Sequence, residues 1–367
     1  MTKVKDITSL IEKYAPKAFA EEWDNPGLQI GDKNQEVTKI LISLDFTEEV
    51  LNEAISKNCN LIINHHPFIF RGIKNITTNN SDSKLIINAI KNNISIYAAH
   101  TNLDNINDGL NWLVAKRIGL SNIEPLDNSN TTTYKLVIFT PKDHVIKVRN
   151  ALFDAGAGSI GNYDCCSYNS DGYGTFRANE NTNPYVGEIG KIHEEPEIRT
   201  EVIVSQDNLE KVTNAIINVH PYEEPAYFIN TLNNKHKLVG SGIIGTLEKD
   251  YTEDNFLKLI KDIVKTPTLR HTIKTGKKIK KVALCTGSGS FLINKALSKK
   301  ADAFVTADLK YHDFYTPNKQ LLLIDAGHFE TEIFSCEWFK NIISKNYSNI
   351  EIIVSETFTN PVNYYSK

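Results

Sequence analysis

Two adjacent histidines, His65 and His66, are the residues of this chain most suited to chemistry. They follow an apolar run at positions 61–63 that predicts a buried strand. Reactive groups in α/β domains lie at the carboxyl ends of strands, so both imidazoles are candidate metal ligands. Neighbouring side chains on an extended segment point in opposite directions, which favours two metal ions over one. The alternative is a histidine pair that only forms backbone hydrogen bonds in a loop.

An internal repeat includes this pair. Shifted by 242 positions, ILISLDFTEEVLNEAISKNCNLIINHH, which begins at Ile40, aligns with VALCTGSGSFLINKALSKKADAFVTAD, which begins at Val282. Both stretches predict a strand, a helix and a strand. The second copy has Ala307 and Asp308 where the first has the two histidines. We therefore expect two diverged halves and a single site.

A shorter connection in the second copy extends the repeat. With an offset of 228, His100 aligns with His328 and Asp104 with Glu332. Residues 328 and 332 are four apart and would share one face of a helix, as in many helical metal sites. If the halves pack about a pseudo-twofold axis, equivalent strand ends face one crevice. That crevice would gather His65, His66, His100, Asp104, His328 and Glu332.

The surrounding pattern predicts the fold. Strands alternate with helices up to about residue 129 and again from Leu238, which indicates mostly parallel sheets covered on both sides. Between them, the order β-α-β-β-α-β is that of a ferredoxin-like module. We expect an α/β fold of two pseudo-repeated halves, residues 1–129 and 236–367, interrupted by an inserted ferredoxin-like α+β domain, residues 130–235.

Composition limits the classes of function. The 367 residues are 41% hydrophobic and carry a formal net charge of −3, so nucleic acid is a disfavoured partner. No signal peptide or membrane-spanning run is evident, and we expect a cytoplasmic protein. The five cysteines fit neither a disulfide framework nor a zinc ribbon.

Further positions each allow a functional and a purely structural interpretation. Asp45 could orient a ligand imidazole or cap a helix. The segment Gly287-Ser288-Gly289-Ser290 could bind phosphate through backbone amides or form a tight turn. Other polar residues could line the crevice or contact a ligand, or simply pack their loops: Trp23, Asp24, Asn25, Asp308, Tyr311 and His312 near the core site, and His220, Tyr222, Glu223 and Glu224 in the insertion.

Five motifs carry a family resemblance over nearly the whole chain. In order, WDNPGLQIGD, LIINHHPFIF, YAAHTNLDN, GSG and GHFETE resemble the Nif-three-like family, also called GTP cyclohydrolase I type 2 homologues. The insertion, with GAGSIGNY at Gly156 and HPYEEPAY at His220, is similar to the extra domain of the longer bacterial members, which is like the CutA and P-two signalling proteins. The resemblance implies a toroidal homohexamer.

The resemblance also implies a dinuclear metal site. His66 and Asp104 would hold one ion, His65 and His328 the other, and Glu332 would bridge them. Five ligands leave open positions for water, which is typical of catalytic sites. We expect two divalent ions per chain, Zn²⁺ first, with Fe²⁺, Mn²⁺ or Co²⁺ as alternatives because no thiolate selects among them.

Such a site predicts hydrolysis. Two metal ions can lower the pKa of a shared water and polarise the bond under attack. We expect a metal-dependent hydrolase whose water attacks a nucleotide or related heterocycle, at C8 of guanine in a cyclohydrolase or at phosphorus in a phosphoesterase. His100, outside the five-ligand set, is predicted to be a catalytic proton donor or to support a ligand; a histidine bonded to the backbone is the alternative. The alternative function is a metal-binding regulatory or metallochaperone protein without turnover, whose insertion senses a small molecule.

Overall fold

The computed structural model describes residues 1–128 and 131–365. The chain divides into two compact units, Met1–Asn130 with Leu238–Lys367, and Thr131–Lys237. The predicted boundary between residues 129 and 130 lies outside the described residues, and the return to the larger unit lies within two residues of the predicted position 236. Among the described helices, none is long and apolar enough to cross a membrane.

The N-terminal part of the larger unit alternates strands with helices. Its strands are β1 (Gly27–Ile30), β2 (Lys39–Ser43), β3 (Leu61–Asn64), β4 (Ser95–Ala98) and β5 (Leu120–Asp127). Its helices are α1 (Val4–Tyr14), α2 (Glu48–Ser56), α3 (Ser81–Lys91), α4 (Thr101–Asp104) and α5 (Leu110–Ile118). The Thr47 side chain caps α2 by accepting a hydrogen bond from the Val50 amide.

The inserted unit has the predicted β-α-β-β-α-β order. Its elements are β6 (Thr133–Pro141), α6 (Val145–Asp154), β7 (Ser167–Arg177), β8 (Ile192–Ser205), α7 (Leu209–Val219) and β9 (Tyr227–Leu232). The strands form an antiparallel sheet in the order β7-β8-β6-β9. One face packs against both helices, where Ile138, Val202, Leu152 and Ile216 share a core. The likeness of this unit to the CutA and P-two proteins stays a prediction.

The C-terminal part completes the larger unit. Its strands are β10 (Ser241–Tyr251), β11 (Arg270–His271), β12 (Ile279–Ser288), β13 (Ala303–Ala307), β14 (Leu322–Asp325) and β15 (Glu351–Val354). Its helices are α8 (Glu253–Val264), α9 (Ile293–Ser298), α10 (His328–Glu332) and α11 (Phe334–Asn346).

Two sheets form the larger unit. Their orders are β1-β4-β3-β2-β15 and β11-β14-β13-β12-β10-β5, and the central strands β2–β4 and β12–β14 run parallel. A core shared by both sheets contains Ile40 and Val282 together with helices α1, α5, α8 and α11. Leu41 faces the opposite way, toward α2 and α3, and Ala283 toward α9. Both faces of each sheet are therefore covered, which confirms the α/β fold class; each fully buried Leu or Ile contributes about 2 kcal/mol. The expectation of mostly parallel sheets holds for the first sheet and was wrong for the second, where β5, β10 and β11 pair antiparallel.

The predicted repeat of strand, helix and strand is present. Ile40 of β2 pairs with Leu61 of β3, and Val282 of β12 pairs with Ala303 of β13. The offset of 242 therefore preserves the parallel register, which confirms that part of the alignment.

The alignment of the third strands was wrong by one residue. The pairing of β4 with β3 and of β14 with β13 makes Ser95 equivalent to Leu322, an offset of 227. His100 therefore corresponds to Gly327, and each directly precedes a short helix, α4 or α10. The connections between the second and third strands of the two halves differ in length. Shifting one sequence against the other does not show at which residue the two halves come back into alignment.

Candidate metal centre

The carboxyl ends of the central parallel strands place the five predicted ligands together. His65 and His66 follow β3, Asp104 ends α4 just after β4, and α10 after β14 runs from His328 to Glu332. Parallel strands end at one edge of their sheet, where the following loops meet. The shared core then brings the two edges to one site.

Glu332 lies at the centre of the cluster and is buried. Its Oε2 is 2.7 Å from His66 Nε2 and 2.9 Å from His328 Nε2. Its Oε1 is 3.8 Å from His65 Nε2. The two oxygens face different histidines, so this carboxylate has the arrangement needed to bridge two ions.

Two buried atoms in the cluster face each other without a hydrogen-bond partner. His65 Nε2 and Asp104 Oδ1 are 3.6 Å apart, beyond hydrogen-bond distance, and neither has a partner among the described residues. His65 Nδ1 is 2.9 Å from the Ala99 carbonyl oxygen, which can only accept, so Nδ1 carries the proton. When the ring is neutral, Nε2 therefore carries a lone pair that points toward the Asp104 carboxylate. Two buried acceptors facing each other are costly unless a proton or a metal cation lies between them.

Among the described residues, three groups have their ligand atoms within 4.8 Å of one another, and one of them joins His100 to His65 and His66. Of the two groups formed by the five predicted ligands, one contains His65, Asp104 and Glu332, and the other contains His66, His328 and Glu332. This grouping differs from the pairing that the resemblance implied, in which Asp104 went with His66 and His328 with His65. The hydrogen bond to Ala99 fixes the His65 ring with Nε2 toward Asp104, which no sequence pattern reveals. Either group could hold a metal ion; the ligand roles themselves stay a prediction.

Carboxylates support two of the imidazoles. His66 Nδ1 is 2.6 Å from Asp45 Oδ1, and the other Asp45 oxygen accepts a hydrogen bond from Thr359 Oγ1 at 2.8 Å. His328 Nδ1 is 2.6 Å from Asp308 Oδ2. Such partners orient a ligand ring and fix its proton on Nδ1. Of the two interpretations of Asp45, the structure therefore shows the orienting one.

The charges of the cluster shift the pKa values of its members. Burial lowers the pKa of His65 to about 4. Burial also disfavours charged His66 and His328, but the Glu332 carboxylate, with Asp45 or Asp308, outweighs it and raises their pKa values to about 10 and about 11. Burial opposes ionisation of Glu332, yet the adjacent histidines hold its pKa well below the usual range.

Asp104 is shifted in the opposite direction. Burial, and then the charge of Glu332, raise its pKa well above the usual value. The cluster thus holds two carboxylates that repel each other beside a neutral imidazole, His65. A divalent cation would relieve this repulsion.

His100 is a fourth imidazole beside the cluster. Its Nδ1 is 2.8 Å from Asp24 Oδ1, and the other Asp24 oxygen accepts hydrogen bonds from the Thr101 amide and hydroxyl. The ring centroid is 5.2 Å from that of His65 and 5.9 Å from that of Trp23. The ring therefore bonds a carboxylate and not the backbone, so the alternative interpretation of His100 was wrong.

The sequence interpretation missed the role of Gly287. A Cβ atom at this position would lie 1.9 Å from Glu332 Oε1, so the absence of a side chain leaves room for the carboxylate. The Gly287 amide donates to Thr331 Oγ1 at 3.0 Å and is not free for phosphate. The repeat contains a signal for this role, because the offset of 242 aligns Gly287, which has no side chain, with Asp45. Thr359, the partner of Asp45, lies in a C-terminal segment without a pattern that would have revealed it.

Tyr311 and His312 were predicted to line the crevice, but their ring contacts lie outside the cluster. The Tyr311 ring packs on His312 and Tyr315 at centroid distances of 5.3 and 5.5 Å. Asp308, which was grouped with them, is the residue that contacts His328.

A cavity of about 520 Å³ borders the cluster. His66 and His328 form part of its wall, so the centre has an accessible side. Arg270 also lines it, with its guanidinium 3.1 Å from Asp325 Oδ2. The volume is within the range of small-molecule sites.

The chain is similar to known proteins over nearly its whole length. Residues 2–361 match the family Duf34/NIF3 (NGG1p interacting factor 3). Proteins named "GTP cyclohydrolase 1 type 2 homolog" from Halalkalibacterium halodurans and Bacillus subtilis are 39% and 37% identical, over 98% of each chain. A crystal structure of a Bacillus cereus protein related to NIF3 is 38% identical, with a TM-score of 0.82 over 99% of both chains. The chain belongs to the Duf34/NIF3 family.

Proposed function

We propose that this protein is a dinuclear metal-dependent hydrolase that acts on a nucleotide or a related heterocycle. The observation that carries the proposal is the pair of unpartnered buried atoms, His65 Nε2 and Asp104 Oδ1, beside a carboxylate that faces two further histidines. The adjoining cavity gives this donor set the accessible side that a catalytic site needs and a structural metal site lacks.

We assign the ligands to two ions. His65, Asp104 and Glu332 Oε1 would hold one, and His66, His328 and Glu332 Oε2 the other. Nitrogen and oxygen donors without thiolate suit Zn²⁺ first, with Fe²⁺, Mn²⁺ or Co²⁺ as alternatives. Bound divalent ions supply a water of lowered pKa and polarise the bond under attack.

The surrounding residues prepare the site. Asp45 and Asp308 accept hydrogen bonds from Nδ1 of His66 and His328, which leaves each Nε2 directed at the cluster. Arg270 lies in the wall of the cavity but is paired with Asp325, and Asp45, Asp308 and Glu330 also line that wall. The positive charge that favours an anionic substrate such as a nucleotide would therefore come from the bound divalent ions.

His100 has the geometry of a proton-transfer residue. Asp24 accepts a hydrogen bond from His100 Nδ1, which leaves Nε2 available to give a proton to a leaving group or to take one from water. We expect His100→Gln to keep its metal and to lose about 10²- to 10⁴-fold in kcat. His271, an exposed histidine on β11, gives the control variant His271→Gln. Full activity of His100→Gln with normal metal content would remove this role.

Activity on GTP tests the proposal. The name of the curated relatives makes GTP the first substrate to try. Formate release would report attack on the guanine ring, and phosphate release would report attack at phosphorus. We expect metal-dependent product from the wild type and none from Asp104→Asn. Stable metal binding without product from GTP or a nucleotide panel would favour the regulatory or metallochaperone alternative.

A further inference from the structure

The inserted unit contains a second cavity, of about 430 Å³, that the proposed hydrolase does not use. It lies on the sheet face opposite α6 and α7. Ile138 points into the core beneath those helices, and side chains alternate along a strand, so its neighbour Phe139 points the other way. Phe139 lines the cavity and contacts the ring of Phe228 at a centroid distance of 6.0 Å.

A buried carboxylate forms part of the cavity wall. Glu197 is only 7% exposed, and its Oε1 accepts a hydrogen bond from the Tyr222 hydroxyl at 2.9 Å. Its Oε2 lies over Gly174, where a Cβ atom would be 2.2 Å away. Within the described part of the chain, no Lys, Arg or His nitrogen comes within ion-pair distance of this side chain. A buried carboxylate without a cation is unusual, and here it faces a cavity.

Aromatic rings stand beside that carboxylate. The Tyr222 ring is 6.2 Å from Phe176 and 6.2 Å from Tyr185, centroid to centroid. The Tyr185 hydroxyl is 2.9 Å from His144 Nε2, and the Tyr222 hydroxyl donates a hydrogen bond to Glu197, so both hydroxyls have partners within the unit. Aromatic faces attract organic cations, and a cluster of rings with a carboxylate is a typical ammonium site.

The charges of the lining favour the same class of ligand. Glu223 and Glu224 line the cavity together with Glu197, whereas Arg177 is the one cationic side chain of the lining and is exposed. We propose that this cavity binds a small organic cation of the ammonium type, held by the Glu197 carboxylate and the rings of Phe176, Tyr185 and Tyr222. The same charges repel phosphates, so the cavity is not a second nucleotide site. The proposal does not depend on hydrolase activity.

Calorimetric titration of the full chain with choline tests the proposal. The matched probe is 3,3-dimethylbutanol, which has the shape of choline without its charge. We expect saturable binding of choline and of tetramethylammonium, and at least about tenfold weaker binding of the neutral probe. Equal binding of the neutral probe, or no saturable binding of either cation at millimolar concentration, would overturn it. This comparison uses only the wild-type protein.

Two variants localise the binding. Glu197→Gln keeps the shape of the side chain, and we expect it to weaken choline binding at least about tenfold while leaving the affinity for the neutral probe unchanged. Arg177→Gln should strengthen choline binding, because it removes the competing positive charge. A folded Glu197→Gln variant that binds choline as tightly as the wild type would overturn the assignment. Should Glu197→Gln not fold, failure of Arg177→Gln to strengthen binding would count equally against it.

Discussion

The two halves of the larger unit share a scaffold and differ at the ends of their strands. Their first two parallel strands pair in the same register. Yet the first half has Asp45 and His65 where the second has Gly287 and Ala307. The second half therefore lacks the side chains for a site of its own, and the duplication yields one asymmetric centre between the halves.

Equivalent positions also have different roles. His66 faces Glu332 at the cluster, whereas Asp308, at the same place in the second half, supports the His328 ring from behind. The scaffold fixes where a side chain begins, and the side-chain type decides whether it faces the cluster or supports a neighbour. Two predictions test this division of roles, and a third tests a contact between the halves; they follow from the largest expected effect to the smallest.

Adding a methyl group at Gly287 should have the largest effect. In Gly287→Ala, the Cβ atom would collide with Glu332 Oε1, and the backbone φ of +61° disfavours any side chain. We expect loss of bound metal and a fall of about 2 kcal/mol or more in the free energy of unfolding. Metal analysis and urea denaturation measure the two effects.

Gly276→Ala is the matched control. Gly276 has a φ of +77° but no neighbouring atom within 4 Å of a new Cβ. It should lose about 1 kcal/mol of stability and keep its metal. Equal metal content in the two variants would show that the space at Gly287 is not needed by the centre.

Replacing the carboxylates that contact the His66 and His328 rings should have the next largest effect. We expect Asp45→Asn and Asp308→Asn each to lower metal affinity by about 10- to 100-fold, measured by competition with a chelator. The Asp45 side chain is 30% exposed and that of Asp308 51% exposed, so the first variant should show the larger loss. Unchanged affinity in both would contradict the supporting role.

The smallest effect concerns a contact between the halves that lies outside the centre. Glu53 on α2 accepts hydrogen bonds from the Glu356 amide and the Thr357 hydroxyl, which follow β15. Burial opposes its ionisation, but these bonds and Lys57 lower the pKa of Glu53 to about 2. A depressed carboxylate pKa stabilises the folded state above the unfolded pKa, near 4.5, and this stabilisation is lost as the pH falls toward 2.

Glu53→Gln should therefore be about 1–2 kcal/mol less stable than the wild type at pH 7. The difference should shrink progressively below about pH 4.5, because the wild-type carboxylate then takes up a proton. Urea denaturation at several pH values measures it, with Glu48→Gln, an exposed carboxylate of the same helix, as control. A difference that does not change with pH would contradict this origin.

Periodicity and spacing predicted the alternating strands and helices, the repeat of β2–β3 in β12–β13, and one crevice that gathers His65, His66, His100, Asp104, His328 and Glu332; the five-residue ligand set came from the family resemblance. These features depend on local patterns and on where parallel strands end. The equivalence of His100 and His328 was wrong because a change in loop length moves the alignment by one residue without leaving a local signal.

Side-chain direction was beyond sequence reasoning. The grouping of His65 with Asp104 depends on one hydrogen bond to the Ala99 carbonyl. The aromatic rings beside Glu197 come from separate strands and loops of the insertion, and only the fold brings them together. Neither arrangement follows a periodic pattern in the sequence.

Metal content tests the central claim most directly. Mass spectrometry of freshly prepared wild type, Glu332→Gln and Glu330→Gln should find about two divalent ions per chain in the first and third proteins, and a loss in the second. Glu330 is a buried carboxylate of the same short helix, but it contacts Asn360 and Tyr364 and not the cluster. Absence of metal from the wild type, or full metal content in Glu332→Gln, would contradict a dinuclear centre bridged by Glu332.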